Sequence, residues 1–306
     1  GTFGKTLAGA LQITYRFFIP LLLFSLFSAQ EKWNYSAEEM DQVKVNGEII
    51  RRLKGNVQFV KTGQIIYTDN AVQYINNDVL HMNGNTIMIN GLDTLTCDSM
   101  VYWSALDLAH AFNALVVNPT RGIFGDEMII QYADSLIKEI NVTSNAFAYN
   151  DLTVRIKENG PYRKFRDEMS SREMIAHFND DEITQLELIR MATTFYHVIN
   201  DSLLAGNNEA SGDTILIDFM DDDIRRIQVV GGALGKFKPE GDNTKIDTTV
   251  FYGADYLDYH INDEKTFLSK SAYVEYQNTK LSAGKIVVDW KTNILDAVKV
   301  DEEYPM

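Results

Sequence analysis

Apolar and polar positions alternate along the chain in a pattern that recurs. Each apolar run closes on an aromatic residue, and an Asn- or Asp-rich turn leads into the next run. Val, Ile, Thr, Tyr and Phe favour strands, while Asn and Asp tolerate the left-handed backbone of tight turns. The pattern therefore predicts units of two strands joined by a turn. The closing aromatics, at intervals of 29, 29, 46, 41, 40 and 31 residues, are Tyr74, Trp103, Tyr132, Phe178, Phe219, Tyr259 and Trp290.

Internal repetition supports this reading. Residues 178–192 match residues 219–233 at a constant offset of 41, in the aromatic, the acidic turn and the alternating apolar positions that follow. Earlier, Gly55-Asn56-Val57, Gly84-Asn85-Thr86 and Asn113-Ala114-Leu115 recur at an offset of 29. Such self-similarity is typical of repeat architectures, in which each unit buries its apolar face against its neighbours.

Residues 163–200 are the one stretch that also fits a helix, because Met174, Ile175 and Phe178 have helical spacing. The matching positions of the later copy are strand-like, so we predict strands here and keep the helix as the alternative. Stacked two-strand units build a solenoid or an elongated sheet sandwich. Its first and last strands, around residues 43–50 and 286–300, would then be open edges.

The N-terminal residues have the pattern of a secretory signal peptide. Lys5 and Arg16 precede a thirteen-residue apolar run, residues 17–29, which ends in Phe-Ser-Ala before Gln30. The run is shorter than the ~20 residues that span a bilayer. We therefore predict a signal peptide over residues 1–29 and a mature domain over 30–306. A membrane anchor and a buried strand remain alternatives.

Charge and cysteine content narrow the function classes. The chain of 306 residues has 43 acidic and 28 basic residues and a formal net charge of −15. Binding to nucleic acid depends on Lys and Arg contacts to phosphate, so nucleic acid is not an expected partner. Cys97 is the single cysteine, which excludes an intramolecular disulfide and a cysteine-based zinc cluster. We expect Cys97 to be a small buried apolar residue.

Signals for catalysis or for a metal are weak. The five histidines form no HExxH motif and no i,i+4 pair. The Asp221-Asp222-Asp223 run lacks the Gly and Glu positions of an EF-hand and falls at a predicted turn. Gly231-Gly232-Ala233-Leu234-Gly235-Lys236 lacks the order of a phosphate-binding loop. We predict that the protein is not an enzyme and has no metal and no cofactor.

Several strand motifs resemble a known family. The segment from Asp93 to Trp103, DTLTCDSMVYW, is similar to a strand motif of OstA-like proteins. The Leu-x-Gly-Asn-Val step of that family is similar to residues 53–57 and 80–85, and the pattern returns at 253–259 and 281–286. The resemblance covers about residues 43–300. It points to the lipopolysaccharide-transport group, with its LptA-type periplasmic bridges, LptC-type anchors and N-terminal domains of LptD-type translocons.

This resemblance implies a fold and a function. Members fold as a twisted β-jelly roll, open along one side, and hold the acyl chains of lipid A in the groove. We therefore expect an all-β, elongated twisted jelly roll or solenoid of about seven two-strand repeats. Its expected partners are lipopolysaccharide and other Lpt-type jelly rolls, or further copies of itself, arranged head to tail. The expected location is the periplasm, in association with the outer membrane or free of it. The units between residues 132 and 259 are longer than the basic step of the family.

Alternation then predicts which side chains line the groove. On a strand, one set of alternate side chains faces the groove and the other faces solvent. An ordinary closed core would have the same pattern, so core packing remains the alternative at each position. The predicted inward set is Val57, Phe59, Met88, Leu115, Val117, Val274 and Tyr276.

Two other functions stay open at this stage. A secreted β-solenoid that binds or cleaves polysaccharide would need paired carboxylates or a basic residue facing a groove. Here the recurring acidic residues fall in turns. A structural β-repeat protein without a ligand is the third possibility.

Overall fold

The chain is all-β throughout the part that the computed structural model describes, residues 33–180, 182–200, 202–221, 223–240, 246–292 and 294–299. In these residues no helix is long and apolar enough to span a bilayer. The strands are β1 (Asn34–Ser36), β2 (Glu39–Val45), β3 (Glu48–Lys61), β4 (Gln64–Tyr74), β5 (Val79–Asn90), β6 (Asp93–Trp103), β7 (Leu108–Val117), β8 (Arg121–Ala133), β9 (Leu136–Ser144), β10 (Ala146–Arg155), β11 (Tyr162–Ser171), β12 (Glu173–Asn179), β13 (Glu182–Asn200), β14 (Leu203–Met220), β15 (Asp223–Pro239), β16 (Val250–His260), β17 (Lys265–Tyr276), β18 (Thr279–Asp289) and β19 (Ile294–Val298).

The predicted turns and strands are found in their expected places. The Asn/Asp-rich segment at 76–78 joins β4 to β5, and the one at 221–223 joins β14 to β15. Residues 163–200 form β11, β12 and β13, so the strand prediction is confirmed there and the helical alternative is wrong. The predicted signal peptide, residues 1–29, lies outside the described residues. All the strand pairings are antiparallel except a single bridge between Arg155 and Leu203.

The sheet is folded on itself, so that most strands belong to two facing halves. β3 pairs with β2 through residues 48–54 and with β1 through residues 58–60. In the same way β13 pairs with β12 at its start and with β11 near its end. We call the half that contains β2, β9, β12 and β19 sheet I, and the half that contains β1, β10 and β11 sheet II. The facing sides of sheets I and II enclose the apolar core, as in a jelly roll.

The strands bend along one line, which we call the corner. The pairing register shifts there, for example between Lys54 and Val57 and between Asn83 and Thr86. Such β-bulges turn a strand and increase its twist. The bend needs a left-handed backbone, which Gly and Asn tolerate best. Corner residues with positive φ are Gly55, Asn56, Gly84, Asn85, Asn113, Asn145, Arg190, Met191, Gly231, Gly232, Lys270 and Ser271.

Asparagine and acidic side chains hold the corner together in the first half of the chain. The Asn85 amide donates to Asp69 Oδ2 at 2.9 Å, and the Asn113 amide donates to Asp98 Oδ2 at 2.6 Å. Asn56 donates to Glu38 and Asn145 to Asp126 in the same arrangement. Each contact joins the bent residue of one strand to the neighbouring stretch of chain, so we call them corner clasps.

The side opposite the corner lies between two rows of turns, and we call it the open side. In the N-terminal part, side chains bridge the two rows and close this side. Trp33 packs edge-on against Phe59 of sheet II and Tyr102 of sheet I, and its indole donates to Ser104 Oγ at 3.1 Å. Lys61 forms an ion pair with Asp107 at 3.6 Å across the same side. The N-terminal part is therefore a closed, dry core.

The sheet has unpaired edges at both ends. In the described residues β2 pairs only with β3, and β19 pairs only with residues 285–289 of β18. Residues 279–283 of β18 are the corresponding edge of sheet II. The sequence placed the last edge around residues 286–300. The edge strand β19 lies within that range, and residues 286–289 of β18 are paired with it.

The corner clasps lead to a stability prediction. Asn85→Ala removes the clasp to Asp69 and puts an alanine at φ +42°. We expect the free energy of unfolding to fall by about 1–2 kcal/mol, from backbone strain and the lost hydrogen bond. Asn85→Gly keeps the backbone permissive and should recover part of this loss. Urea denaturation gives the free energy of unfolding of the parent and of both variants. Equal values for the alanine variant and the parent would contradict a stabilising role of the corner clasp.

Candidate functional site

Two adjoining cavities lie between sheets I and II, lined by residues from Asp93 at the start of β6 to Lys291 just after β18. The larger has a volume of about 810 Å³ and the smaller about 490 Å³. Both lie within or near the range of about 300–1,000 Å³ that is usual for ligand pockets. The two cavities adjoin, because both are lined by Tyr196, Val198, Ile199, Tyr259 and Ile261. We call the combined space the groove.

The smaller cavity is walled mainly by aliphatic and aromatic side chains. β9 contributes Ile137 and Ile140, both of which are buried. Phe178, at the end of β12, and Phe219, at the end of β14, are half-buried where their strands reach the turns of sheet I. These two are the aromatics that close the repeat units in the sequence. The repeat therefore places a ring at the rim of the groove each time a strand of this part reaches the open side.

The larger cavity includes a set of linked polar groups. Tyr252 donates its hydroxyl hydrogen to Asn208 Oδ1 at 2.7 Å, and Asn208 Nδ2 donates to the Tyr196 hydroxyl oxygen at 2.7 Å. Burial away from water raises the pKa of both tyrosines well above their usual value. Burial also raises the pKa of Tyr259 to about 12. All three phenols are therefore protonated at neutral pH and can donate hydrogen bonds.

Charged residues are sparse along the groove and lie mostly near its rims. Asp167 accepts hydrogen bonds from the backbone N–H and the ring Nδ1 of His197, each at 2.8 Å. Arg121 and Asp223 line the smaller cavity, and Glu264 and Lys291 line the larger one. Apolar side chains such as Ile140, Ile227 and Leu257 lie between these groups and can pack against the hydrocarbon part of a ligand.

The structure places the predicted site residues in several different environments. Val57, Phe59 and Met88 are fully buried in the closed N-terminal part, where Phe59 packs on Trp33. They face inward as expected, yet they line neither cavity. Val274 is buried near the C-terminal end, and Tyr276 is half-buried with its hydroxyl donating to Asp247 at 2.7 Å. These two also lie outside the groove lining.

The predicted orientation of Leu115 and Val117 is wrong. Both are half-buried, while Val116 between them is 6% exposed and lines the smaller cavity. The cause is at the corner. β3 and β5 bend at a Gly-Asn pair, whereas β7 bends at Asn113 alone and pairs with β6 without a register shift. The offset between corresponding residues is therefore 28 and not 29, which reverses the alternation beyond the bend.

The groove residues of β9 to β17 were not among the predicted site residues. Their signal in the sequence is the lengthening of the repeat between residues 132 and 259, together with the aromatics that precede the turns. Length alone did not show that the two sheets separate there. Whether the open side is closed depends on contacts across it, such as the one in the N-terminal part between Trp33 and Ser104. These two residues are 71 positions apart in sequence.

The groove offers no evident metal centre. In the part of the chain that the structure describes, no three His, Cys, Asp or Glu side chains are grouped to hold a metal ion. Cys97 is buried in the closed part, where loss of hydration raises its pKa to about 12. Its thiol is therefore protonated and unreactive at neutral pH.

Comparisons with known proteins show only a coarse structural resemblance. No protein-family model matches the sequence, and no curated protein matches it. Among solved structures, the chain is similar to LptH from Pseudomonas aeruginosa, the LptA-homologous periplasmic component of the lipopolysaccharide transport device. The match covers 44% of this chain and 82% of that one, at 15% identity and a TM-score of 0.34. At this level, the family suggested by the sequence motifs stays a prediction.

The corrected alternation on β7 can be tested by two neighbouring substitutions. Val116→Asp puts a charge on the inward face and should lower the free energy of unfolding by about 2 kcal/mol or more. Leu115→Asp stays on the half-exposed face and should cost about 1 kcal/mol or less. Chemical denaturation gives both values. A larger loss for the Leu115 variant would restore the original assignment of this strand.

Proposed function

We propose that the protein is a lipid carrier of the bacterial envelope, which holds the acyl chains of lipopolysaccharide in the groove and passes them toward the outer membrane. The observation that carries this proposal is the pair of adjoining, partly open cavities between sheets I and II, with apolar side chains such as Ile140, Ile227 and Leu257 on their lining. We further propose that the protein works by binding alone, without bond-making chemistry, and that it acts in the periplasm after removal of the predicted signal peptide.

The energetics of acyl chains explain why such a groove is useful. Each methylene that leaves water contributes about 0.8 kcal/mol, so a chain of about a dozen carbons gains on the order of 10 kcal/mol by burial. Crossing an aqueous compartment unaided would forfeit that energy. The groove supplies apolar side chains from both sheets and is partly open to solvent, so a chain can pack inside while a polar headgroup stays in water.

Transfer along a bridge also needs contact between successive carriers. β2 at one end, and β19 with residues 279–283 at the other, present unpaired strand edges. An exposed edge can pair with a strand of another chain by β-augmentation. We propose that these edges join a second copy or a related jelly roll head to tail, so that the grooves of neighbouring molecules line up.

The lipid proposal is tested by a charge at the rim of the groove. Phe219→Asp alters a half-buried rim residue, so the fold should survive while the carboxylate repels the hydrocarbon. We expect the parent to co-purify with lipopolysaccharide from envelope fractions and the variant to lose it at least about tenfold, since 1.4 kcal/mol already corresponds to tenfold. Lipid mass spectrometry gives the amount, and a thermal melt reports folding.

The matched control is Phe267→Asp. Phe267 is half-buried on the outer face, beside His260 and Lys285, and lines neither cavity. This variant should keep its lipid. The proposal fails if the parent carries no lipid, or if Phe219→Asp retains as much lipid as the control.

The assembly proposal is tested by crosslinking between edges. A protein with Gln42→Cys on β2 and Asp296→Cys on β19 has one exposed thiol at each edge, while Cys97 is buried. A short bismaleimide should link successive copies into a ladder of oligomers, seen by denaturing electrophoresis. Each single-cysteine variant should stop at dimers or remain monomeric. A double variant that forms no ladder at high protein concentration would contradict contact between copies.

A further inference from the structure

The polar groups at the junction of the two cavities suggest a more specific role. Tyr196 lines both cavities, and it is linked through Asn208 to Tyr252. The three side chains come from β13, β14 and β16 of sheet II. Their wall faces apolar residues of sheet I, such as Ile227 and Leu257, across the larger cavity.

In these two hydrogen bonds, the hydroxyl group of Tyr196 accepts but does not donate. The oxygen of Asn208 accepts from Tyr252, and its nitrogen donates to the oxygen of Tyr196. A phenol has one hydrogen to donate. Among the described residues, no side chain or carbonyl accepts the hydrogen of Tyr196. This side chain is 7% exposed, and a buried donor without a partner costs about 1–3 kcal/mol.

A ligand acceptor would satisfy this hydrogen. We propose that Tyr196, Asn208 and Tyr252 form a binding site for the carbonyl of an ester- or amide-linked acyl chain, with Tyr196 as the donor. We call these three residues the carbonyl site. The inference rests on the proposed lipid-carrier function and adds the chemistry that the groove recognises within the lipid.

The two cavities fix the direction of the bound lipid. The smaller cavity has more apolar than polar surface and suits the hydrocarbon tail, even with Arg121 and Asp223 on its lining, whereas the larger cavity has more polar than apolar surface. With the carbonyl at the junction, the tail extends toward β9 and β12 and the polar part toward β18. An alkyl chain without a carbonyl would fill the same apolar space but would not supply a carbonyl acceptor for the Tyr196 hydrogen.

A matched pair of lipids tests the carbonyl site. The glycerol monoester of dodecanoic acid and the corresponding dodecyl glycerol ether have the same chain length, but only the ester has a carbonyl. Isothermal titration below the micelle concentration gives a dissociation constant for each. We expect the parent to prefer the ester about 3- to 10-fold, which corresponds to one net hydrogen bond. Tyr196→Phe should remove this preference and leave ether binding unchanged.

Two further variants separate binding from folding. Asn208→Asp replaces Nδ2 by an acceptor oxygen that can take the hydrogen of Tyr196, so the ester preference should fall with both phenols still present. Tyr102→Phe is the control, because Tyr102 is a buried phenol of the closed part that donates to Asp107 at 2.8 Å. It should keep the preference even if its melting temperature falls.

The outcomes distinguish the two proposals. An ester-to-ether ratio that falls in Tyr196→Phe and Asn208→Asp, but not in Tyr102→Phe, supports the carbonyl site. Binding of both lipids with the same ratio in the parent and in both groove variants overturns the carbonyl site and leaves the lipid groove standing. A parent that binds neither lipid overturns the groove, and the carbonyl site with it.

Discussion

The left-handed bend at the corner is the constraint on which the rest of the structure depends. A strand that serves both sheets has to turn through the fold line without breaking its pairing. Most side chains resist positive φ because Cβ approaches the carbonyl oxygen. Gly-Asn pairs at residues 55–56 and 84–85 meet this requirement in the first part of the chain, and Gly231-Gly232 does so later. The corner clasps then hold each bent Asn against its neighbour.

The corner also decides which side chains face inward. A bulge of two residues preserves the alternation expected from a 29-residue repeat, whereas a bend at one residue reverses it. β7 shows this directly, since Val116 and not Leu115 is buried. Which side chains of a strand face inward therefore depends less on its composition than on the number of residues in its bend. The same dependence on the bend applies to side chains that line the groove and to those that pack in the closed core.

Much of the fold can be predicted from the sequence, whereas the candidate site cannot. For residues 163–200, where a helical pattern competed, the match to the later repeat copy predicted strands, because the corresponding positions of that copy are strand-like. The closure of the N-terminal part, by contrast, depends on contacts between distant segments. Trp33 closes the N-terminal part through Phe59 and Tyr102, and no local pattern marks residue 33 as the partner of β6. The groove is the part of the open side that such contacts leave unfilled.

Strand order that follows the sequence has a consequence for how the protein reaches its native state. Neighbouring strands are joined by short turns, so most pairings have low contact order and can form quickly. A chain that emerges N-terminus first can add each hairpin to an edge that already exists, as repeat proteins do. The contact between Trp33 and Ser104 is one exception, because it requires the first six strands to be in place. A chain that folds in this order would keep an unpaired strand edge, able to pair with another chain, until the last strand is added.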